Sequence, residues 1–213
     1  VTRPTPLVEW TGFVEGSGMA EEFLILHGWQ NRRPEGHWQR WLAAEFASRG
    51  ATVRYPQLPD PDAPVLDDWI DAVESELRET DAASLTVVAH SLGCLLWFAY
   101  VARRAEQGVL GAVARRIVLV APAAPDVLRG IPEIAAFARF GEPAGAVSAA
   151  HAAAVLERGV VVASADDPYC PAGADVVYAT PFDLDYVAVE GGGHLTMDDG
   201  YGPFPLVLEL ATR

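Results

Sequence analysis

The sequence predicts an α/β fold with a mostly parallel central sheet and helices on both faces. Two observations predict it. Short apolar runs (Glu22–Leu26, Leu85–Ala89, Arg116–Ala121 and Gly159–Ala163) alternate with longer segments whose apolar residues recur at helical spacing. Several of the short runs are apolar throughout, as strands covered on both faces must be, which implies βαβ units rather than hairpins. The chain has 213 residues, 51% of them hydrophobic, enough for one sizeable core and too few to need two. The expected organisation is an arm or edge extension over residues 1–21 and a single domain over residues 22–213.

Taken in order, Val1 to Ala20 carries two prolines and three glycines and reads as the arm. Glu22–Leu26 is a central strand that breaks at His27-Gly28-Trp29. Pro34 to Arg49 places Trp38, Trp41, Leu42 and Phe46 at helical spacing, with Gly50 just past the end. Thr52–Tyr55 is the next strand, and Pro56 to Pro64, with four prolines, is a rigid loop. Asp67 to Thr80 sets Trp69, Ile70, Val73 and Leu77 on one helical face, with acids at its start where the macrodipole favours them. Leu85 to His90 is a strand followed by an apolar helix from Leu95 to Ala102, and Arg116–Ala121 is a strand stopped by Pro122. Pro122 to Gly145 loosens into prolines, glycines and aromatics, too short for a large cap but able to form one wall of a pocket. Ala149 to Arg158 reads as an Ala-rich helix, Gly159–Ala163 and Asp183–Val189 as the last strands, and Pro205–Ala211 as a short closing helix.

The formal charge is −14 and all fifteen basic residues are Arg, which argues against nucleic acid or an anionic membrane surface as a partner. The longest apolar stretch, Leu85 to Ala102, is interrupted by His90, Ser91 and Gly93, wrong for a membrane span. Cys94 and Cys170 form neither a disulfide framework nor a zinc-ligand pattern and read as small apolar filler, so no metal and no cofactor are expected. Val1 to Trp10 lacks the pattern of a signal peptide, and the expected compartment is the cytoplasm. Nothing in the sequence speaks to oligomeric state.

The chemistry centres on Ala89-His90-Ser91-Leu92-Gly93. A serine flanked two residues either side by small ones, between a strand and a helix, is the turn that exposes a nucleophilic hydroxyl at the top of a sheet. Ala89 stands where glycine is usual. A serine hydroxyl needs a base, and the base an orienting carboxylate. Both follow on later strand ends in the required order: Asp166-Asp167-Pro168 after Val160–Ala163, and Gly191-Gly192-Gly193-His194 after Tyr186–Val189. His194 is the expected base because its glycines allow close approach to Ser91. Asp167 is the expected acid, held by the turn at Pro168, with Asp166 the alternative and Asp126 a loop-turn residue. The backbone N–H groups of Leu92 and Trp29 are the expected oxyanion donors. His27 is expected to orient its loop, His90 to point into the scaffold, and His37 and His151 to be ordinary helix residues.

On these residues the chain resembles the small serine hydrolases of the α/β-hydrolase superfamily, often called YdeN-like or retinoblastoma-binding-protein-9-like. The matching pieces are His27-Gly28 with Trp38 and Trp41, His90-Ser91-Leu92-Gly93-Cys94, Asp166-Asp167-Pro168-Tyr169-Cys170, and Gly193-His194 with Gly200-Tyr201-Gly202 and Pro205 downstream. The resemblance spans residues 22–210 and implies an α/β-hydrolase fold without a large cap, with Ser91 as nucleophile, Asp167 as acid and His194 as base. It implies cleavage of a small-molecule acyl ester. The alternatives are an amidase, thioesterase or lactonase on the same triad, or an interaction module with a vestigial one. An L-x-C-x-E pocket-binding pattern is absent, since Leu92-Gly93-Cys94-Leu95-Leu96 ends in Leu.

Overall fold

The computed structural model describes residues 21–109, 111–140 and 159–213. All but the last residue of the arm expected over residues 1–21, and the helix expected over Ala149 to Arg158, with His151, lie outside them. Six strands form one sheet: β1 Glu22–Leu26, β2 Thr52–Arg54, β3 Leu85–His90, β4 Arg116–Val120, β5 Gly159–Ala163 and β6 Asp185–Ala188. Their order across the sheet is β2-β1-β3-β4-β5-β6, and every neighbouring pair is parallel. β1 and β3 align Leu24 with Val87 and Leu26 with Ala89, so both strands end side by side.

The period of two along each strand sorts the core into two layers. Leu24, Leu26, Val87, Ala89, Leu119 and Val161 face α2 (Leu66–Glu76) and α3 (Leu92–Glu106). Phe23, Ile25, Val88, Val118, Val120 and Val162 face α1 (Trp38–Ser48) and the C-terminal α5 (Pro205–Thr212). From Leu92 to Ala102 every residue of α3 is buried, because the sheet lies beneath it and α2 and a 3₁₀ turn over Ala135–Phe140 lie beside it. Arg103 on α3 adds ion pairs to Asp67 and Asp71 on α2.

After β1 the chain crosses one face through α1 to the outer strand β2, then crosses the other face through α2 to β3. The strand order therefore reverses between β1 and β3, and the loops leaving those two strands diverge. That divergence opens a crevice at the carboxyl edge of the sheet. Two stretches beyond the expected elements also reach this edge. Pro125–Arg129 forms α4 with Pro125 at its first position, and Asp175–Ala179 is a π-helical stretch that runs into the helical turn Thr180–Phe182. The Tyr178 hydroxyl donates to the Ala123 carbonyl, fixing the exit of β4. Among the described residues no helix is long and apolar enough to cross a membrane.

Candidate active site

Ser91 joins β3 to α3 with φ 54° and ψ −122°, backbone that side chains beyond glycine rarely adopt. Its surroundings enforce this. The Ser91 N–H donates to the Val120 carbonyl at 3.0 Å. At Gly93 a Cβ would stand 2.7 Å from the Leu26 carbonyl oxygen and 2.8 Å from that of His27, so only glycine lets α3 start this close to the end of β1. At Gly28 a Cβ would lie 2.9 Å from the Cβ of Ser91 itself. The strand–turn–helix expected from the sequence is present, and it presses against the β1 exit.

Ser91 Oγ lies 2.8 Å from His194 Nε2, and His194 Nδ1 lies 2.9 Å from both carboxylate oxygens of Asp167. A carboxylate only accepts, so the Nδ1–H donates to it and the Nε2 lone pair faces the serine. The Asp167 side chain has no exposed surface, and its Oδ1 also accepts the Tyr169 N–H at 2.8 Å. The Tyr169 ring lies against the His194 ring at 4.4 Å between centroids. Asp166 points elsewhere: it accepts from the Ser164 hydroxyl and, at 3.1 Å, from the Gly193 N–H. The Ser164 hydroxyl and that N–H hold its carboxyl below the usual range. Asp126 is on α4, exposed and ion-paired with Arg129.

The His194 loop is held from several sides, most of them not foreseen from the sequence. Asp199 accepts from the His194 N–H at 3.1 Å and from the Thr196 N–H and hydroxyl at 3.0 and 2.7 Å. Burial works against its charge, but these donors prevail and keep its carboxyl below the ordinary range. Gly193 has φ +56°, and a Cβ there would collide with the Asp199 carboxylate. Thr196-x-x-Asp199 behind a glycine run is the signal that could have marked this turn. Trp38 Nε1–H donates to the Leu195 carbonyl at 3.0 Å. His90 is buried and directed into the scaffold as expected, where its Nε2–H donates to the His194 carbonyl at 3.0 Å. Burial pushes the His90 ring well below its ordinary pKa, so it is neutral there.

His27 orients its loop as anticipated. Its Nδ1–H donates to the Gly28 carbonyl at 2.8 Å, and its Nε2 accepts the Leu58 N–H at 3.0 Å. Burial lowers its pKa to about 4. His37 departs from expectation. It is the N-cap of α1 rather than an ordinary helix residue, with Nδ1 accepting the Gln39 N–H at 3.2 Å, and burial lowers it too to about 4. Cys94 and Cys170 are buried free thiols; burial raises both, Cys170 to about 12. They pack as filler.

Above Ser91 and His194 lies a cleft of about 720 Å³, lined also by Leu92 and Trp29. Among the described residues the Leu92 and Trp29 N–H groups donate to nothing, whereas the next residue, Gln30, donates its N–H to Pro61. The Trp29 indole N–H is taken by the Asp62 carbonyl at 3.0 Å, which pins the ring at the mouth of the cleft.

A family model for serine hydrolases matches residues 23–213. The chain belongs to the serine hydrolase family. YdeN of Bacillus subtilis (strain 168) is 26% identical over 194 residues, covering 91% of this chain and 96% of YdeN. The crystal structure of the B. subtilis ydeN gene product superposes with a TM-score of 0.75 over 91% of this chain and 97% of that one. A YdeN-like hydrolase from Pectobacterium atrosepticum is 21% identical, with a TM-score of 0.64 over 89% and 88% of the two chains. Est1E from Butyrivibrio proteoclasticus is 15% identical, with a TM-score of 0.60 over 91% and 89%. These likenesses establish the α/β-hydrolase fold, with family membership resting on the match that spans nearly the whole chain.

Proposed function

We propose that this serine hydrolase cleaves carboxylic esters of small-molecule substrates through Ser91, His194 and Asp167. The observation that carries the reading is the unbroken line from Ser91 Oγ to His194 Nε2 at 2.8 Å and from His194 Nδ1 to Asp167 at 2.9 Å. Ser91 Oγ attacks the ester carbonyl carbon as its proton passes to His194 Nε2. Asp167 keeps the proton on Nδ1 and stabilises the imidazolium that forms. The oxygen that gains negative charge is held by the Leu92 and Trp29 N–H groups, which have no other partner among the described residues. Collapse of the tetrahedral intermediate breaks the bond to the leaving oxygen, which takes the Nε2 proton and departs as the alcohol. Water then gives a proton to Nε2 and adds to the acyl-enzyme, and the second collapse returns the proton to Ser91 Oγ and frees the acid.

The test is reaction with a fluorophosphonate probe. Ser91 Oγ is expected to displace fluoride from the probe, so that the folded protein gains one phosphonyl group on Ser91, and Ser91→Ala to lose ester hydrolysis by roughly 10⁴-fold or more. Ester cleavage that survives in Ser91→Ala would sink the assignment.

A further inference from the structure

The walls of the cleft are sorted by chemistry, and the sorting follows the two faces of the sheet. Ala123, Leu128 and Ile134 belong to the core beneath α2 and α3, and Tyr169 packs against that core. All but Tyr169 are at most 2% exposed, so this wall is closed and apolar. A second wall is the stretch after His194. It sits on the other core through Leu195, whose carbonyl accepts from Trp38, and it presents Thr196, Asp198 and Asp199 to the cleft beside Met197. Ser91 and His194 line the same cleft, as does the stretch after β1 from Gly28 to Arg32.

Charge is unevenly placed as well. Asp199 is held ionised by three donors, and Asp198 is exposed at the rim. Arg32 also lines the cleft, but its guanidinium is paired with Asp62. The polar wall therefore offers an unbalanced negative field, on a chain of formal charge −14.

We propose that the cleft takes a short apolar acyl group against Ala123, Leu128 and Ile134, and a neutral or cationic polar leaving group along Thr196–Asp199, while anionic leaving groups are turned away. The assignment rests on the hydrolase reading above. His194 must hand its proton to the leaving atom, so that atom lies beside His194, and the chain that continues from His194 is the polar wall. The acyl group, which never meets that proton, is left the apolar wall, where desolvation favours it.

The experiment uses three thioesters of one acyl group: S-butyryl thiocholine, S-butyryl 2-mercaptoethanol and S-butyryl 3-mercaptopropionate, which differ in the charge of the leaving thiol. At low salt, kcat/KM is expected to fall in that order, with the cationic substrate roughly fivefold to tenfold above the anionic one, and the gap to shrink in 0.5 M salt. Asp198→Arg, a change at an exposed position, is expected to reverse the order of cation and anion. In parallel, a series of p-nitrophenyl esters is expected to peak at short acyl chains, and Ile134→Ala to move the peak to longer ones. Equal rates for the three thiols, an anion preference, or an Ile134→Ala response to the alcohol instead of the acyl chain would overturn the division. Fluorophosphonate labelling of Ser91 in the same preparations keeps the readings apart: a protein that labels but ranks the thiols otherwise contradicts the cleft assignment alone, and one that does not label contradicts the hydrolase itself.

Discussion

At the scale of single residues, the adjacent carboxylates Asp166 and Asp167 are the sharpest case. Their side chains leave a tight loop, with turns on both sides of Asp167, in different directions, so only one meets the histidine. Asp167 is buried against His194 Nδ1 and the Tyr169 N–H, whereas Asp166 holds the Ser164 hydroxyl and the Gly193 N–H. Asp167→Asn places an amide where the carboxylate fixed the tautomer, and kcat is expected to fall about 10⁴-fold. Asp166→Asn keeps an acceptor for the Ser164 hydroxyl, and its loss is expected to stay below about tenfold. Steady-state ester hydrolysis by the two variants checks this, and a larger loss in Asp166→Asn would contradict the geometry. The sequence offered both acids with a reason to prefer the second, the turn at Pro168. What it could not display was the hydrogen-bond work of the first, which depends on Ser164 and Gly193 meeting across two loops.

At the scale of elements, the four inner strands were legible because burial on both faces leaves continuous apolar runs, whereas the edge strands β2 and β6 are partly exposed and were read from mixed stretches. Helices were legible where the 3.6-residue period is uninterrupted. The expected helix over Asp67 to Thr80 ends at Glu76 with Leu77 as its cap, and the first helix starts at Trp38 rather than Pro34 because His37 caps it. Pro125–Arg129 and Asp175–Ala179 were missed for a physical reason. One is five residues long, and the other follows a π-helical rather than an α-helical period and runs into a three-residue turn that holds Pro181, which has no N–H to donate. The contacts that join elements were the least legible, among them the bond from His90, at the end of β3, to the His194 carbonyl. This bond ties the loop that carries His194, the proposed base, to the strand that leads into Ser91, the proposed nucleophile. His90→Leu removes the donor and is expected to lower kcat roughly tenfold with KM little changed. His90→Gln, whose amide N–H reaches a similar point, is expected to recover most of that loss. Equal losses in both variants would show that His90 only fills space.

At the scale of the whole molecule, three buried neutral histidines gather under the carboxyl edge of the sheet: His27, His37 and His90. His27 and His37 each have a pKa of about 4 against an ordinary 6.5, and in both burial is the leading cause. The unfolded chain therefore binds protons that the folded one refuses, and stability is full above about pH 6.5 and is lost as pH falls through 4. Each of the two accounts for about 3 kcal/mol on that scale. The lowered carboxyl values of Asp166 and Asp199 act in the same direction further down. Thermal melts from pH 7 to pH 4 are expected to show a steep decline, smaller in His37→Asn; a flat profile would contradict the neutral assignment. The same edge, where strand order reverses between β1 and β3, gathers Gly28, Trp29, Ser91 and Leu92 at one point, and this convergence is what a serine hydrolase needs. The most direct test of that claim is the intact mass and peptide map of the protein after exposure to a fluorophosphonate. The account predicts one added phosphonyl group, on Ser91, formed quickly in the folded protein and lost in His194→Ala. A folded protein left unmodified at Ser91, or labelled at the same rate without His194, would contradict it.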